Sequence, residues 1–394
     1  MTPRPRLSPG LLAVLSFLAA VGPFATDMYL ASFTEVARDL GAAPSSVQLT
    51  LTAFLLGMGT GQLLLGPLSD QVGRRPVLVL ALSVFAAASI AMVFSPSIEV
   101  FIALRLVQGL SGAAGVVVSR AIAVDLSEGA AAIRAISLIA MFVGLGPLLA
   151  PPVGGAILTL GDWRAVLAVL AGIAVAMLVL AAIFVPESLP REARRASGIA
   201  TALGAFRSLL ADRGFLLLML VFGLAFGAMM SYISASPFVG QTILGMPPLV
   251  YSLAFGLSAA AMILANLLNA RLAGRVPATR MLLIGASLML LAGLAFTILW
   301  LTGALTIPTF VACAFTLTGG TGLVMSNASA LALARAASAR GSGSALLGAG
   351  QFAMGSIGSP IVGAWGEHTA LPMALFVLGC AALAWAGALL APRQ

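Results

Sequence analysis

The sequence predicts an all-α polytopic membrane protein with twelve transmembrane helices. Three observations carry that prediction. First, the 394 residues are 61% hydrophobic and only 8% charged, too few charges to cover a soluble chain of this length. Second, the apolar residues gather into runs at 11–33, 46–67, 76–94, 99–121, 133–157, 163–185, 214–236, 249–270, 281–301, 305–332, 342–364 and 371–391. Each is near the roughly 20 residues that a helix needs to cross the hydrocarbon core. The runs are continuous rather than alternating, which excludes a closed barrel. Third, the basic charge has a side. All twenty basic residues are Arg, and only Arg38, Arg105 and Arg164 fall away from the side that carries the N-terminus.

By the positive-inside rule that bias puts both ends of the chain in the cytoplasm. The expected location is the cell's inner, cytoplasmic membrane. The bias also accounts for the net charge of +8 without a nucleic-acid partner. The start, with Arg4 and Arg6, leads directly into the first run with no small-residue cleavage site, so that run is read as a retained helix. High Ala and Gly with no Lys points to a GC-rich genome.

Taken in order, the first run holds Ala25-Thr26-Asp27-Met28-Tyr29-Leu30. Asp27 is the one acid well inside an apolar run, and an intramembrane acid is a functional candidate by default. The competing reading is a hydrated acid near the outer end, since Glu35, Arg38 and Asp39 follow shortly. Tyr29 is a candidate substrate contact beside it.

The second and third runs are joined by Gly66-Pro-Leu-Ser-Asp70-Gln-Val-Gly73-Arg74-Arg75-Pro76. Glycines permit close approach and unusual backbone angles. Asp70 can accept from amides at a helix start, and Arg74 and Arg75 can pair with carboxylates across the bundle. A plain positive-inside anchor would explain the arginines but not Asp70 or the glycines.

The fourth run contains Arg105-Leu-Val-Gln108-Gly109. A guanidinium inside a span has a partner, lines a wet cavity, or snorkels to the nearer surface. The fifth reads Gly144-Leu-Gly146-Pro147-Leu-Leu-Ala-Pro151-Pro152-Val-Gly154-Gly155; such glycines let a neighbouring helix pack closely and the prolines kink the rod. After the sixth run comes the one long polar segment, Arg-rich and broken by Pro186, Pro190 and Gly198. It divides the chain into residues 1–185, a cytoplasmic linker 186–213, and residues 214–394. Within it Ile199, Leu203, Phe206 and Leu210 fall at helical spacing, as in an amphipathic helix on the membrane face.

In the second half Met229, Met230, Ser231, Tyr232, Asn266, Asn269, Asn327 and Gln351 either face a central cavity or join helices to one another. Met229, Tyr232, Asn266 and Asn327 are taken as substrate contacts together with Asp27, Tyr29 and Gln108. Met and Tyr suit a loosely specified amphipathic ligand. Cys313 and Cys380 lie in apolar runs and read as packing residues. His368 beside Glu367 reads as a loop residue. There is no metal-ligand cluster, no phosphate-binding glycine loop and no Ser/His/Asp set, so neither an enzyme, a resident cofactor nor ATP-driven transport is expected.

These motifs together resemble the major facilitator superfamily. The turn at 66–76 is similar to its signature between helices 2 and 3, the Arg105 run to its helix 4 motif of proton-coupled members, and the 144–155 run to the antiporter motif of helix 5. Thr26-Asp27-Met28-Tyr29-Leu30 and Pro186-Glu187-Ser188-Leu189-Pro190 resemble the Bcr/CflA subgroup of drug:proton antiporters, exporters of bicyclomycin and chloramphenicol or florfenicol. Members usually place a proline after the first string. Here Ala31 and Ser32 follow, which removes the sequence basis for a local kink.

The resemblance implies two pseudo-symmetric six-helix bundles around a midplane cavity, and a monomer that exports small amphipathic drugs against protons. It gives Asp27 and Arg105 the proton coupling, with Asp27 carrying a proton, binding drug, or both in competition. It gives Gly66, Asp70, Gly73, Arg74, Arg75, Gly146, Pro147, Gly154 and Gly155 the conformational gating. The turn is expected to clasp the two halves in the outward-open state. Export of an endogenous metabolite, such as an amino acid or a biosynthetic antibiotic, fits the same fold.

Overall fold

Apolar runs of this length form helices because every backbone polar group in hydrocarbon has to be satisfied within its own segment. The computed structural model describes residues 7–127, 129–191, 194, 198–336, 340–363 and 368–391. Arg4, Arg6, Arg195, Glu367 and Arg393 lie outside the described residues. Among the described residues, twelve helices are long and apolar enough to span a membrane: α1 (Pro9–Asp39), α2 (Pro44–Val72), α3 (Arg74–Val93), α4 (Ile98–Asp125), α5 (Gly129–Leu158), α6 (Trp163–Phe184), α7 (Arg213–Ile243), α8 (Pro248–Leu272), α9 (Ala278–Leu301), α10 (Ile307–Arg335), α11 (Arg340–Gly363) and α12 (Leu371–Leu390). One further helix, Gly198–Ala211, lies between α6 and α7. No strand occurs among the described residues. Large apolar side chains such as Leu80, Phe94, Ile183 and Leu383 face outward, as a lipid-facing surface requires.

The helix pairing repeats. Helix α2 packs on α4 as α8 packs on α10, α3 on α4 as α9 on α10, and α3 on α6 as α9 on α12. The two bundles so formed meet through α2 against α11 and α5 against α8. Within the first bundle the α2–α4 contact is backbone against backbone. A Cβ on Gly57 would collide with the carbonyl of Leu106, and one on Gly109 with the carbonyl of Phe54. Small residues bring membrane helices together because lipid tails leave no hydrophobic force to do it. The matching α8–α10 contact uses polar groups instead. Thr318 Oγ1 donates to the Ser258 carbonyl at 2.5 Å, Ser326 Oγ to Asn266 Oδ1 at 2.6 Å, and Asn327 Nδ2 to Asn269 Oδ1 at 2.9 Å.

Among the described residues, two spans are interrupted in their regular α-helical pattern. Helix α1 is broken into Pro9–Ala19, Val21–Asp27, a 3₁₀ turn Leu30–Ser32, and Phe33–Asp39. So the break after Asp27 forms without the proline that the sequence lacks, and α1 runs six residues past the predicted end at 33. Helix α7 passes through Pro237 into a wide π-turn, Phe238–Ile243, beyond the predicted end at 236. Proline removes one helical donor and crowds the preceding turn; a single π-turn within a helix is rare and is found most often at functional sites.

The start of α7 is tied to the end of α10. Asp212 accepts from Arg335 Nε at 3.0 Å and Nη2 at 2.9 Å, and also caps α7 by accepting from Gly214 N at 2.8 Å. Hydrogen bonds from Arg335 are the main cause that holds the Asp212 carboxyl below its ordinary value, with the capping amides adding to it. A carboxyl lowered in the folded state adds stability above its unfolded value of about 4, and that stability is lost as pH falls through the lowered folded value. The melting temperature of Asp212→Asn in detergent is therefore expected below wild type at neutral pH, with the gap narrowing as pH falls below about 4.

Gly109→Val is expected to destabilise the fold by at least about 1–3 kcal/mol through overpacking against α2. Gly172→Ala, where a Cβ meets nothing within 4 Å, is expected to be neutral or slightly stabilising. Thermal denaturation followed by size-exclusion fluorescence compares the two.

Candidate functional site

A cavity of about 1860 Å³ lies between the two bundles. Its bottom is at Thr26 and Asp27 of α1, Phe54 of α2, Tyr232 and Ile233 of α7 and Phe255 of α8; its mouth reaches Asp70, Arg74, Arg120, Asp125 and Ser342. It thus opens toward the Asp70 end of the molecule. The Asp39 end is closed. There a Cβ on Gly154 would collide with the Met28 carbonyl and one on Gly155 would meet Ser252 Oγ. Gln241 of α7 donates to the Ala31 carbonyl at 3.0 Å and accepts from Thr34 Oγ1 at 3.0 Å.

Asp27 is 4% exposed, and Thr26 Oγ1 donates to its Oδ1 at 2.8 Å. The hydrated outer-end reading is therefore overturned: Asp27 sits inside the molecule on the wall of a cavity that opens toward the opposite end. Around it the wall is soft and aromatic, with Met58, Met229, Met230, Phe226 and Phe255. Tyr232 stacks on Phe255 with ring centroids 6.0 Å apart.

Arg105 is wholly buried, which overturns the snorkelling reading. Its Nη1 donates to the Ala25 carbonyl at 2.7 Å and to Gln108 Oε1 at 2.8 Å. Gln108 Nε2 passes the chain on to Ser89 Oγ at 2.8 Å. The guanidinium lies 3.8 Å above the Tyr29 ring, with Phe54 and Phe101 beyond. Its Nε and Nη2 have no hydrogen-bond partner among the described residues. No ion pair joins it to Asp27 there; Arg105 grips the backbone two residues before the acid.

At the mouth, Arg74 is the hub. It pairs with Asp70, and its Nε donates to Asp125 Oδ2 at 3.0 Å, its Nη1 to Ser69 Oγ at 2.8 Å and its backbone N to Glu187 Oε1 at 3.0 Å. Gly73 makes this geometry available: its φ of 120° is one that side chains resist, and a Cβ would meet Glu187 Oε2. Asp125 and Glu187 each follow an apolar run closely, the cue that marks them as partners for the arginine turn.

The sequence profile of the Major Facilitator Superfamily matches residues 15–359. The chain belongs to the major facilitator superfamily. It is 38% identical over 366 residues to a Bacillus subtilis uncharacterized MFS-type transporter, YdgK, covering 92% of this chain and 90% of that one. It is 33% identical over 368 residues to the Haemophilus influenzae bicyclomycin resistance protein homolog, covering 93% and 92%. Among solved structures it is similar to the nucleoside transporter NupG, with a TM-score of 0.75 and 16% identity, covering 96% of this chain and 98% of that one.

On this major facilitator scaffold several expected placements need correcting. Tyr29, Gln108 and Asn327 do not line the cavity, whereas Asp27, Met229, Tyr232 and Asn266 do. Tyr29 is wholly buried under Arg105 and bonded to Thr50. Gln108 is wholly buried between Arg105 and Ser89. Asn327 turns to Asn269 and the Leu323 carbonyl. A buried amide takes the partners nearest to it, and here those belong to neighbouring helices.

The arginine turn also stays within the first bundle and the segment after α6. Arg74 reaches Asp70, Asp125 and Glu187, and Arg75 Nη2 donates to the Ala182 carbonyl at 2.8 Å. Asp70 receives a side chain, not the backbone amides expected for it. This end of the cavity is open, so the turn does not clasp the two halves in this conformation. In the fifth span, Gly146 packs on Pro23 and Gly154 on Met28, both in α1, and Gly155 packs on Ser252 in α8. Pro147 and Gly66 border the cavity.

Sequence reasoning did not single out Gln241, Thr34 or Phe255. The one available cue was Pro237, four residues ahead of Gln241 and just past the end of a predicted apolar run. Tyr29→Leu is expected to lower thermal stability by about 2–4 kcal/mol, since it removes both the aromatic face under a desolvated cation and the bond to Thr50. Tyr29→Phe keeps the face and is expected to cost about 1 kcal/mol. Equal losses in the two variants, measured by thermal denaturation, would contradict this account of Arg105.

Proposed function

We propose that this transporter is a proton-coupled exporter of small amphipathic drugs that works by alternating access. The observation that carries the reading is the cavity itself: large, apolar and aromatic, closed at one end, with an acid at its bottom. Cavities of roughly 300–1,000 Å³ suffice for drug-sized ligands, so this one has room for ligands of several shapes. Methionines adapt to such variety. The Haemophilus influenzae relative carries bicyclomycin resistance in its name, which supports the drug class.

In this proposal residues 1–185 and 214–394 move as two bodies about the segment 186–213. The Asp70 end faces the cytoplasm, as the arginine bias favours, and both termini lie there, in the inner membrane. One chain is the working unit. The conformation described is then open to the cytoplasm, ready to take up drug. Asp27 carries the proton, and a cationic drug competes for it. Arg105 acts as a positioning residue: by holding the Ala25 carbonyl it fixes the angle of Val21–Asp27, and with it the acid. In this reading Arg105 is a fixed strut and not a mobile counter-ion for Asp27.

Proton release from energised inside-out vesicles, on adding a panel of amphipathic drugs, tests the proposal. Wild type is expected to respond to at least one drug, and Asp27→Asn to lose that response. If Asp27→Asn transports with an unchanged pH dependence, Asp27 is not the coupling acid.

A further inference from the structure

We infer that Gln241 is the gate residue that holds the Asp39 end of the cavity shut, by closing a two-way amide latch on the break in α1. The inference rests on the alternating-access reading above. It starts from two irregular segments that face each other across the bundles. Between Asp27 and Phe33, α1 loses its regular turn. After Pro237, α7 widens into the π-turn Phe238–Ile243. An amide side chain can donate and accept at once, and Gln241 does both across the divide. Its Nε2 donates to the Ala31 carbonyl and its Oε1 accepts from Thr34, each at 3.0 Å. Phe33 and Phe238 pack beside the latch with centroids 6.1 Å apart.

Three features make this a gate and not merely a contact. The latch joins the first bundle to the second, so it has to part if this end opens. Gln241 and Thr34 are half-buried and Ala31 is buried, so water already reaches the amide's side of the latch, can take over its bonds on parting, and leaves the latch reversible. The segments it joins also carry the ligand site. Asp27 lies four residues before Ala31, and Met229 and Tyr232 precede Gln241 in α7. A ligand or proton that shifts those residues pulls on the same two pieces of backbone.

Two thiol reporters in purified full-length protein, with Cys313→Ala and Cys380→Ala as background, test the latch. Ser32→Cys reports on the closed end, because Ser32 is 1% exposed and its hydroxyl has no partner among the described residues. Ser344→Cys reports on the open cavity, whose wall includes Ser344. Gln241→Ala is expected to speed maleimide labelling of Ser32→Cys by about tenfold, as loss of two neutral hydrogen bonds allows, and to slow labelling of Ser344→Cys. Thr34→Val removes one bond and is expected to move both rates the same way by less; it also serves if Gln241→Ala fails to fold.

If neither rate changes, the latch is wrong. If both rates rise, the variant has merely loosened the fold and the latch is equally wrong. Wild type separates this from the larger reading. If its two reporters move oppositely on adding drug while the Gln241 and Thr34 variants shift nothing, alternating access stands and the latch falls. If they never move oppositely under any condition, alternating access falls and takes the latch with it.

Discussion

Breaking a helix inside a membrane frees backbone groups that water cannot reach, and the architecture around α1 answers that constraint. Each exposed part of the break has a dedicated neighbour. The Ala25 carbonyl takes Arg105, the Met28 carbonyl is met by the bare backbone of Gly154, and the Ala31 carbonyl takes Gln241. Non-helical backbone at membrane depth survives only where protein or a wet cavity covers it. So α4, α5 and α7 all converge on one short stretch of α1, and Asp27 sits at its centre. The cavity bottom is placed there because the break is there.

Arg105 shows how the same constraint settles a charge. A guanidinium without an acid partner is costly in a dry interior. Here the cost is offset by a carbonyl, by Gln108 and by the face of Tyr29 at 3.8 Å. A desolvated cation over an aromatic face is worth about 2 kcal/mol, and the carbonyl bond is charge-assisted and so about twice as strong as a neutral one. Each of these partners is fixed: Gln108 is held by Ser89, and Tyr29 by Thr50. A cation held through Nη1 and its flat face by fixed partners is better suited to setting the angle of α1 than to travelling toward Asp27.

Much of this was legible in the chain. Twelve runs became twelve spans, and the turn at 66–76, the acid in the first run and the arginine in the fourth all landed inside or between helices where they were expected. What the runs did not encode was phase. A span that is apolar on every side carries no strong periodic signal to say which residue faces lipid, partner or cavity. Gln108 and Asn327 look like cavity amides in a linear reading, yet Gln108 turns to Ser89 and Asn327 to Asn269. Gln241 was invisible for the opposite reason: a polar residue just past a predicted span end reads as loop, and only the π-turn after Pro237 carries the helix on to it.

The two ends of the cavity are closed or held open by different chemistry, and that difference bears on how the molecule could cycle. The open end is lined by charge. Arg74 is engaged with Asp70, Asp125 and the Glu187 carboxylate at once, and Arg120 stands on the same wall. Asp70 is half-exposed in the mouth, but Arg74 is buried beneath it, so its pairs are screened less than surface charges and are costlier to part. The closed end is held by neutral groups: glycines against backbone, one amide across two bundles, and a pair of aromatic rings. Close packing falls off steeply with distance, so in the proposed cycle that end would be either seated or apart, with little between. A gate of that kind would follow small shifts in α1 as a switch. Asp27, on the same broken helix, is the group best placed to make such a shift.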